Sequence, residues 1–502
     1  MVYILHTASL AVAAVLAYLA AAAPSVPATL RDHKITMRPS DDPFYHVPDG
    51  LQDVAPGTIL RHRPPPAPIA AFGVAPLRLA ATHQILYRTT DSLGNATATV
   101  LTVLVPRHAD MNKVLSYQVA EDAADINCAP SYVFQLRPAA DPDRGTGTTE
   151  LELLLVEAAL EQGWVVIVPD YLGPYAAFLA NKLAGHAILD GIRAALHSSR
   201  FTGIGRHPKV AMWGYSGGAV ASMWAAELQP RYAPELEIAG AAVGGTVPNL
   251  ITVVTSINGG SHAGFIAAGV MGLTNQYAEA ERDVERHLLA QFRDKFISVR
   301  SQCMDADTRA FKNQDVIGMF DDRDLVYRVL KNTSLGHGDT PKIPMFVYKS
   351  VDDEFSPVAE TDALVAAYCG DGASIQYHRD RNSHHGSLAI LAAPKALLWL
   401  KKTMRQAPKK GCSTRTVYWS ILDLGALLAL PKLVLDGLLD WLGKAPHVPP
   451  IYYWLMLVFS QEFVARFTNG QHVGTFELDE PINSGEKDWI KNLVANDEVA
   501  LA

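Results

Sequence analysis

The sequence has little of what several function classes require. Basic charge is not in excess: 43 Lys and Arg stand against 51 Asp and Glu, for a formal net charge of −8. No basic block interrupts the chain, so nucleic acid is excluded as the expected partner. Cysteine is scarce, four in 502 residues, and no two are spaced C-x-x-C, so no structural zinc site is expected. Nothing in the motifs calls for a metal or an organic cofactor. What is present is apolar: 49% of residues are hydrophobic and 19% charged, ample for a large core in one big domain or two smaller ones.

The first 23 residues are apolar and Ala-rich, carry no Lys or Arg, and end in a run of alanines before Pro24. They read as a secretory signal peptide (1–23) cut near Ala22. An uncleaved membrane anchor is the alternative, because the segment is long enough to span. Alanine's weak preference for the membrane favours cleavage. Export suits an even, small set of cysteines (Cys128, Cys303, Cys369 and Cys412), which permits two disulfides in three pairings. Two sequons, at Asn95 and Asn332, are candidate glycan sites on that route.

Residues 24–80 are proline-rich with little periodicity and read as an extended N-terminal arm. Over 81–246 strands and helices alternate. His83–Thr89 and Ala96–Val105 form a hairpin across Asp91–Gly94, and Val114–Val119 is a third strand. Trp164–Pro169 is an unbroken apolar run of the kind found in parallel sheets covered on both faces. The β-α order implies a mainly parallel sheet with right-handed crossovers. The alternation stops at Thr246. From 247 to 340 the pattern is helical, with helices expected over 248–257, 263–277, 279–299 and 306–330, and reads as a cap inserted into the sheet. Strands resume over 341–412 with Pro344–Lys349 and Ser374–His378, taken as the last strand, before a helix over 388–404. The remainder, 413–502, is an apolar extension with hydrophobic runs at 417–442 and 451–459. Neither run is a clean membrane span. They are expected to pack on the core or to touch a lipid interface.

The stretch Lys209–Val220 carries the chemistry. A short apolar run ends in Gly214-Tyr-Ser-Gly-Gly218, and a small-residue helical pattern follows. This is G-x-S-x-G in the strand, turn and helix context that lifts a serine hydroxyl to the top of a sheet. Gly214 and Gly218 let neighbouring backbone pass closely, and the helix N-terminus favours a developing oxyanion. A serine so placed needs a base, and the base needs a carboxylate, in the chain order Ser, acid, His. The loop after Met345–Lys349 offers Asp352, Asp353 and Glu354. The loop after Ser374–His378 offers His384 and His385. The arrangement predicts acyl transfer, with oxyanion donors at the amides of Gly217 and of Asp122 in the loop after the third strand.

These residues sit in a wider pattern. Ser116-Tyr-Gln118, Glu121-Asp122, Cys128-Ala-Pro-Ser131, Val168-Pro-Asp-Tyr171 with Gly173-Pro174, Leu189–Arg193, Gly214–Gly218, Asp353-Glu354 with Pro357, and Ala396–Leu400 follow one another over about residues 75–405. In this the chain resembles the fungal secretory lipases of the lipase A type. The resemblance implies an α/β-hydrolase fold with a mainly parallel central sheet and a helical cap insertion within 246–340; the C-terminal apolar flap or tail is read from the residues alone. It implies the catalytic set Ser216, Asp353 and His385, an oxyanion hole at Asp122 and Gly217, and disulfides Cys128–Cys303 and Cys369–Cys412. The substrate is then a lipid or other ester.

Two features depart from the family pattern: the long apolar tail beyond Cys412, and Lys349-Ser350 where a more polar or aromatic lead into the acid loop is expected. They leave two forms of the expectation, a secreted triacylglycerol lipase and a secreted esterase on soluble acylated metabolites. A non-catalytic hydrolase-fold binding protein, or a peptidase on the same fold, is the remaining alternative.

Overall fold

The computed structural model describes residues 36–73, 75–136, 145–330 and 333–420. The expected signal peptide, the Asn332 sequon and all but the first residues of the apolar extension lie outside them.

Among the described residues a ten-stranded sheet forms the centre. Its strands are β1 (Ile59–Arg63), β2 (Leu79–Thr90), β3 (Ala96–Pro106), β4 (Asp110–Gln118), β5 (Trp164–Pro169), β6 (Lys209–Tyr215), β7 (Ile238–Gly244), β8 (Met345–Ser350), β9 (Ile375–Asp380) and β10 (Ser413–Val417). They lie in the order β1-β2-β3-β5-β4-β6-β7-β8-β9-β10. The first three pair antiparallel, and β3 meets β5 antiparallel. From β4 onward every pairing within the seven later strands is parallel.

Side-chain alternation explains why the central strands are apolar throughout. Val114, Val165, Ile167, Val210 and Met212 point to one face, where they meet Ile188, Leu189 and Met223 of the helices Asn181–His197 and Gly217–Tyr232. Leu115, Tyr117, Val166, Val168, Ala211 and Trp213 point to the other, against Leu155, Val156 and Leu397 of the helices Leu153–Leu160 and Ala393–Thr403. With both faces covered, a polar side chain on a central strand costs free energy unless it finds a partner, so apolar residues predominate. Each buried Val or Leu contributes roughly 1.5–3 kcal/mol relative to exposure.

The structure differs from the sequence expectation at the sheet edges and in the helices. The N-terminal arm is not only a surface wrap: Ile59–Arg63 adds an edge strand. Phe44, Tyr45 and Leu51 pack on Leu86, Ala98 and Val100. Ser374–His378 is not the last strand, because Ser413–Val417 pairs parallel beyond it. The expected helix 279–299 is broken into Ala278–His287 and Arg293–Ser298, with Leu288 bridged to Phe320 between them. The expected helix 306–330 is two, Met304–Phe311 and Leu325–Leu330. The last helix is likewise two, His385–Leu391 and Ala393–Thr403. Pro394, which has no N–H to continue the first, begins the second. No helix among the described residues is long and apolar enough to cross a membrane.

Two disulfides tie the insertions to the core. Cys128–Cys303 joins the loop after β4 to the helical insertion, and Cys369–Cys412 joins the helix Val358–Gly370 to the start of β10. Asn95 is exposed on the β2–β3 hairpin, where its side chain donates to Asp91 Oδ2 at 3.0 Å.

Candidate active site

Ser216 stands between β6 and the helix Gly217–Tyr232 with φ 51° and ψ −119°, a left-handed conformation costly for a non-glycine residue. The turn is held from below. Ser216 N donates to Gly244 O of β7 at 2.9 Å. A Cβ on Gly218 would lie 1.9 Å from Gln118 O of β4, so no other residue fits there. The strain aims the hydroxyl outward, at the carboxyl ends of the parallel strands.

His385 comes from the loop after β9 and begins a helix there. Its Nε2 lies 2.8 Å from Ser216 Oγ, and its Nδ1 lies 2.7 Å from Asp353 Oδ2. Asp353, in the loop after β8, also accepts from the amides of Phe355 and Ser356 at 3.0 and 2.9 Å and from Lys349 Nζ at 2.9 Å. Burial alone would raise its carboxyl. The hydrogen bond and charge of His385, with those of Lys349, override burial and hold it well below the usual carboxylate range. An ionised Asp353 only accepts, so Nδ1 of His385 carries the proton and Nε2 is free to accept from Ser216.

Further contacts fix the imidazole. His385 N donates to Glu354 Oε2 at 2.8 Å, and its carbonyl accepts from Tyr215 Oη at 2.5 Å. The ring packs 4.6 Å from Phe355. Ser350 Oγ donates to the carbonyl of Ser383, tying the acid loop to the histidine loop. The neighbouring candidates stand apart: the His384 side chain is 73% exposed and 3.8 Å from Glu354. Asp352 is exposed and offers its carbonyl, not its carboxylate, to the His384 ring.

Asp122 lies at the other end of the site. It too has positive φ, 45°, and is buried. A Cβ on Gly217 would lie 2.0 Å from its Oδ1, so that glycine is what lets the carboxyl approach the helix N-terminus. Oδ1 has no hydrogen-bond partner among the described residues. Burial pushes this carboxyl up to about 7.

Between these groups opens an apolar cavity of about 730 Å³, its mouth included. Leu172, Phe178, Leu179 and Val220 line it from the core, and Val253, Val254, Ile257, Ile266 and Leu330 line it from the helical insertion between β7 and β8. Ser216, Gly217 and Asp122 are its polar end. Among the described residues no cluster of His, Cys, Asp and Glu could hold a metal ion.

The structure thus brings Ser216, Asp353, His385, Gly217 and Asp122 to one place. Two contributors were not singled out as site residues from the sequence: Tyr215, which donates to the His385 carbonyl, and Lys349, which is hydrogen-bonded to Asp353. Glu354, a candidate acid in the sequence, instead holds the His385 backbone amide. A lysine inside the otherwise apolar strand Met345–Ser350 was the available signal for Lys349.

Comparison with known proteins places these features in company. The secretory lipase family model matches residues 139–411. Lipase A of Arthroderma benhamiae is 48% identical over 432 residues, 82% of this chain and 92% of the relative. Lipase 5 of Candida albicans is 36% identical over 384 residues, 72% and 80% of the two chains. The crystal structure of Candida antarctica lipase A in its closed state superposes with a TM-score of 0.72 at 30% identity, covering 80% of this chain and 96% of the other.

Proposed function

The chain belongs to the secretory lipase family and is a carboxylic ester hydrolase with an α/β-hydrolase fold, and from that premise we propose that it is a secreted triacylglycerol lipase working through Ser216, His385 and Asp353. The observation that carries this reading is the unbroken hydrogen-bond chain from Ser216 Oγ through His385 to Asp353 at the polar end of an apolar cavity.

In the first step His385 Nε2 takes the Ser216 proton as Oγ attacks the ester carbonyl, and Asp353 stabilises the imidazolium. The tetrahedral oxyanion meets the Gly217 amide and Asp122. Because burial keeps the Asp122 carboxyl protonated up to about pH 7, it is a hydrogen-bond donor beside that amide and not a competing negative charge. His385 then returns the proton to the departing glycerol oxygen. A water activated by the same imidazole releases the fatty acid. The cavity removes an acyl chain from water, which favours long chains at about 0.8 kcal/mol per buried methylene. Residues 247–340 act as the cap that supplies much of that wall.

The test is a chain-length series on secreted enzyme, from acetyl to oleoyl esters plus an emulsified triglyceride, with Ser216→Ala as the blank. Activity rising with chain length and on the emulsion, and absent in Ser216→Ala, is expected. Activity confined to acetyl or butyryl esters would move the protein to soluble acylated metabolites. Full activity in Ser216→Ala would sink the serine mechanism.

A further inference from the structure

Lys349 is the residue that the proposed mechanism does not use. It is the fifth residue of β8, a central strand, and its side chain has no exposure at all. Fully buried lysines are rare unless paired. A methionine would fill the same space without having to take an ammonium out of water. What the ammonium does there is specific. It donates to Thr246 O at 2.8 Å, where β7 runs into the helical insertion, and to Asp353 Oδ2 at 2.9 Å. That is the same oxygen which accepts from His385 Nδ1.

We propose that Lys349 is a positioning residue of the catalytic relay, one that offsets the Asp353 charge and so extends ester hydrolysis to lower pH. The proposal rests on the Ser216, His385 and Asp353 reading above. Counting charge gives the reason. With Lys349 in place, the Lys349, Asp353 and His385 group goes from neutral to a single positive charge when His385 takes a proton. Without it, the group goes from a single negative charge to neutral. The second change is easier in a low-dielectric site, so Lys349 works against protonation of His385 by bulk solvent. The base then stays free at a more acid pH.

Other charged or titratable groups face the same imidazole. Glu354, half exposed, accepts from the His385 amide. His262 of the insertion packs 4.3 Å from Phe355, which in turn packs on His385. Tyr215 of β6 donates to the His385 carbonyl, His384 is exposed beside Glu354, and Asp122 lies past Ser216 at Gly217. All of these remain when Lys349 alone is changed, so a difference between native enzyme and a Lys349 variant isolates the ammonium.

The experiment is the pH profile of kcat/KM on a soluble short-chain ester for native enzyme, Lys349→Met and Lys349→Gln, each normalised to active sites. Both substitutions remove the charge, and the second keeps a donor for Thr246 O. The acid limb is expected to move upward by about one pH unit or more, the size of effect a close charge has on a neighbouring group, with the alkaline limb, set by Asp122, left where it is in native enzyme. A uniform loss at every pH, with the limb unmoved, would make Lys349 merely structural and overturn the proposal. Should neither variant be secreted folded, Lys349→Arg and Lys349→Leu take their place: an acid limb at the native pH in the first and raised in the second supports the proposal, and the same limb in both overturns it. Ser216→Ala and His385→Ala run alongside. Activity in those would sink the triad reading, whereas their inactivity with an unmoved limb would sink only the role of Lys349.

Discussion

Asp353 and Asp122 are the same residue type in one site, and the fold drives them to opposite protonation states. Asp353 reaches Ser216 through His385 and receives four donors: two backbone amides, an imidazole and an ammonium. Asp122 meets Ser216's neighbour Gly217 with an oxygen that has no partner among the described residues, and burial raises its carboxyl. The first is held ionised and can only accept. The second keeps its proton to about pH 7 and can donate. What a carboxyl contributes to catalysis is therefore set by the donors around it, not by its identity.

The sharpest break of this comparison is to remove the ionisable group at each end while keeping the shape. Asp353→Asn is expected to lower kcat by about 10⁴, because the amide can donate to Nδ1 and favour the wrong tautomer of His385. Steady-state kinetics on a soluble ester checks it, and a loss under tenfold would remove Asp353 from the acid role.

At Asp122 the same change should do little. Asn still donates and tolerates positive φ, so Asp122→Asn should keep kcat within about tenfold and lose the alkaline decline near pH 7 that ionisation of Asp122 causes. Asp122→Ala, which has no donor, should lose about 10² to 10³. Equal kcat for the Asn and Ala variants, with melting temperatures matched, would mean that the side chain does not donate to the oxyanion.

The smallest effect is on stability. Asp307 has no hydrogen-bond partner on either oxygen among the described residues. Burial, with the charge of Asp125, pushes it up to about 8. Burial likewise pushes Asp170 up to about 7 against the hydrogen bonds from Ser131. A raised carboxyl binds its proton more tightly in the fold than in the unfolded chain. Its contribution is whole below about pH 4 and is lost as pH rises toward 8. Asp353 has the opposite sign: its contribution is present above about pH 4 and is lost as pH falls below that. Thermal melts from pH 3 to 9 should peak on the acid side and decline toward pH 8. Asp307→Asn should flatten that decline by on the order of a few kcal/mol and leave the acid side alone. An unchanged decline would show that Asp307 is not kept neutral by the fold.

Much of this was legible in the chain. Gly214–Gly218 between an apolar run and a small-residue helix fixes a serine elbow through purely local sterics. The loop after β8 is readable because that strand is mostly apolar and bounded, and the loop after β9 because it falls between a short strand and the last helical pattern. The edge strands were missed for the converse reason. Ser413–Val417 is polar and mostly exposed, and Ile59–Arg63 carries His and two Arg, so neither has an alternating pattern to read. The long helix expected over 279–299 failed because the Leu288–Phe320 bridge, a contact distant in sequence, takes the backbone there.

The sequence by itself determined the local events: which turn is strained, which loops hold acid and histidine, and which strands are buried on both faces. These depend on neighbours within a few residues, through sterics and side-chain period. The residues alone left His384 and His385 open and only the family resemblance pointed to His385; tertiary structure alone decided that Lys349 and His385 share one oxygen of Asp353 and that burial pushes the Asp122 carboxyl up to about 7. Each of those depends on distance and dielectric between segments far apart in the chain, and no periodicity encodes either.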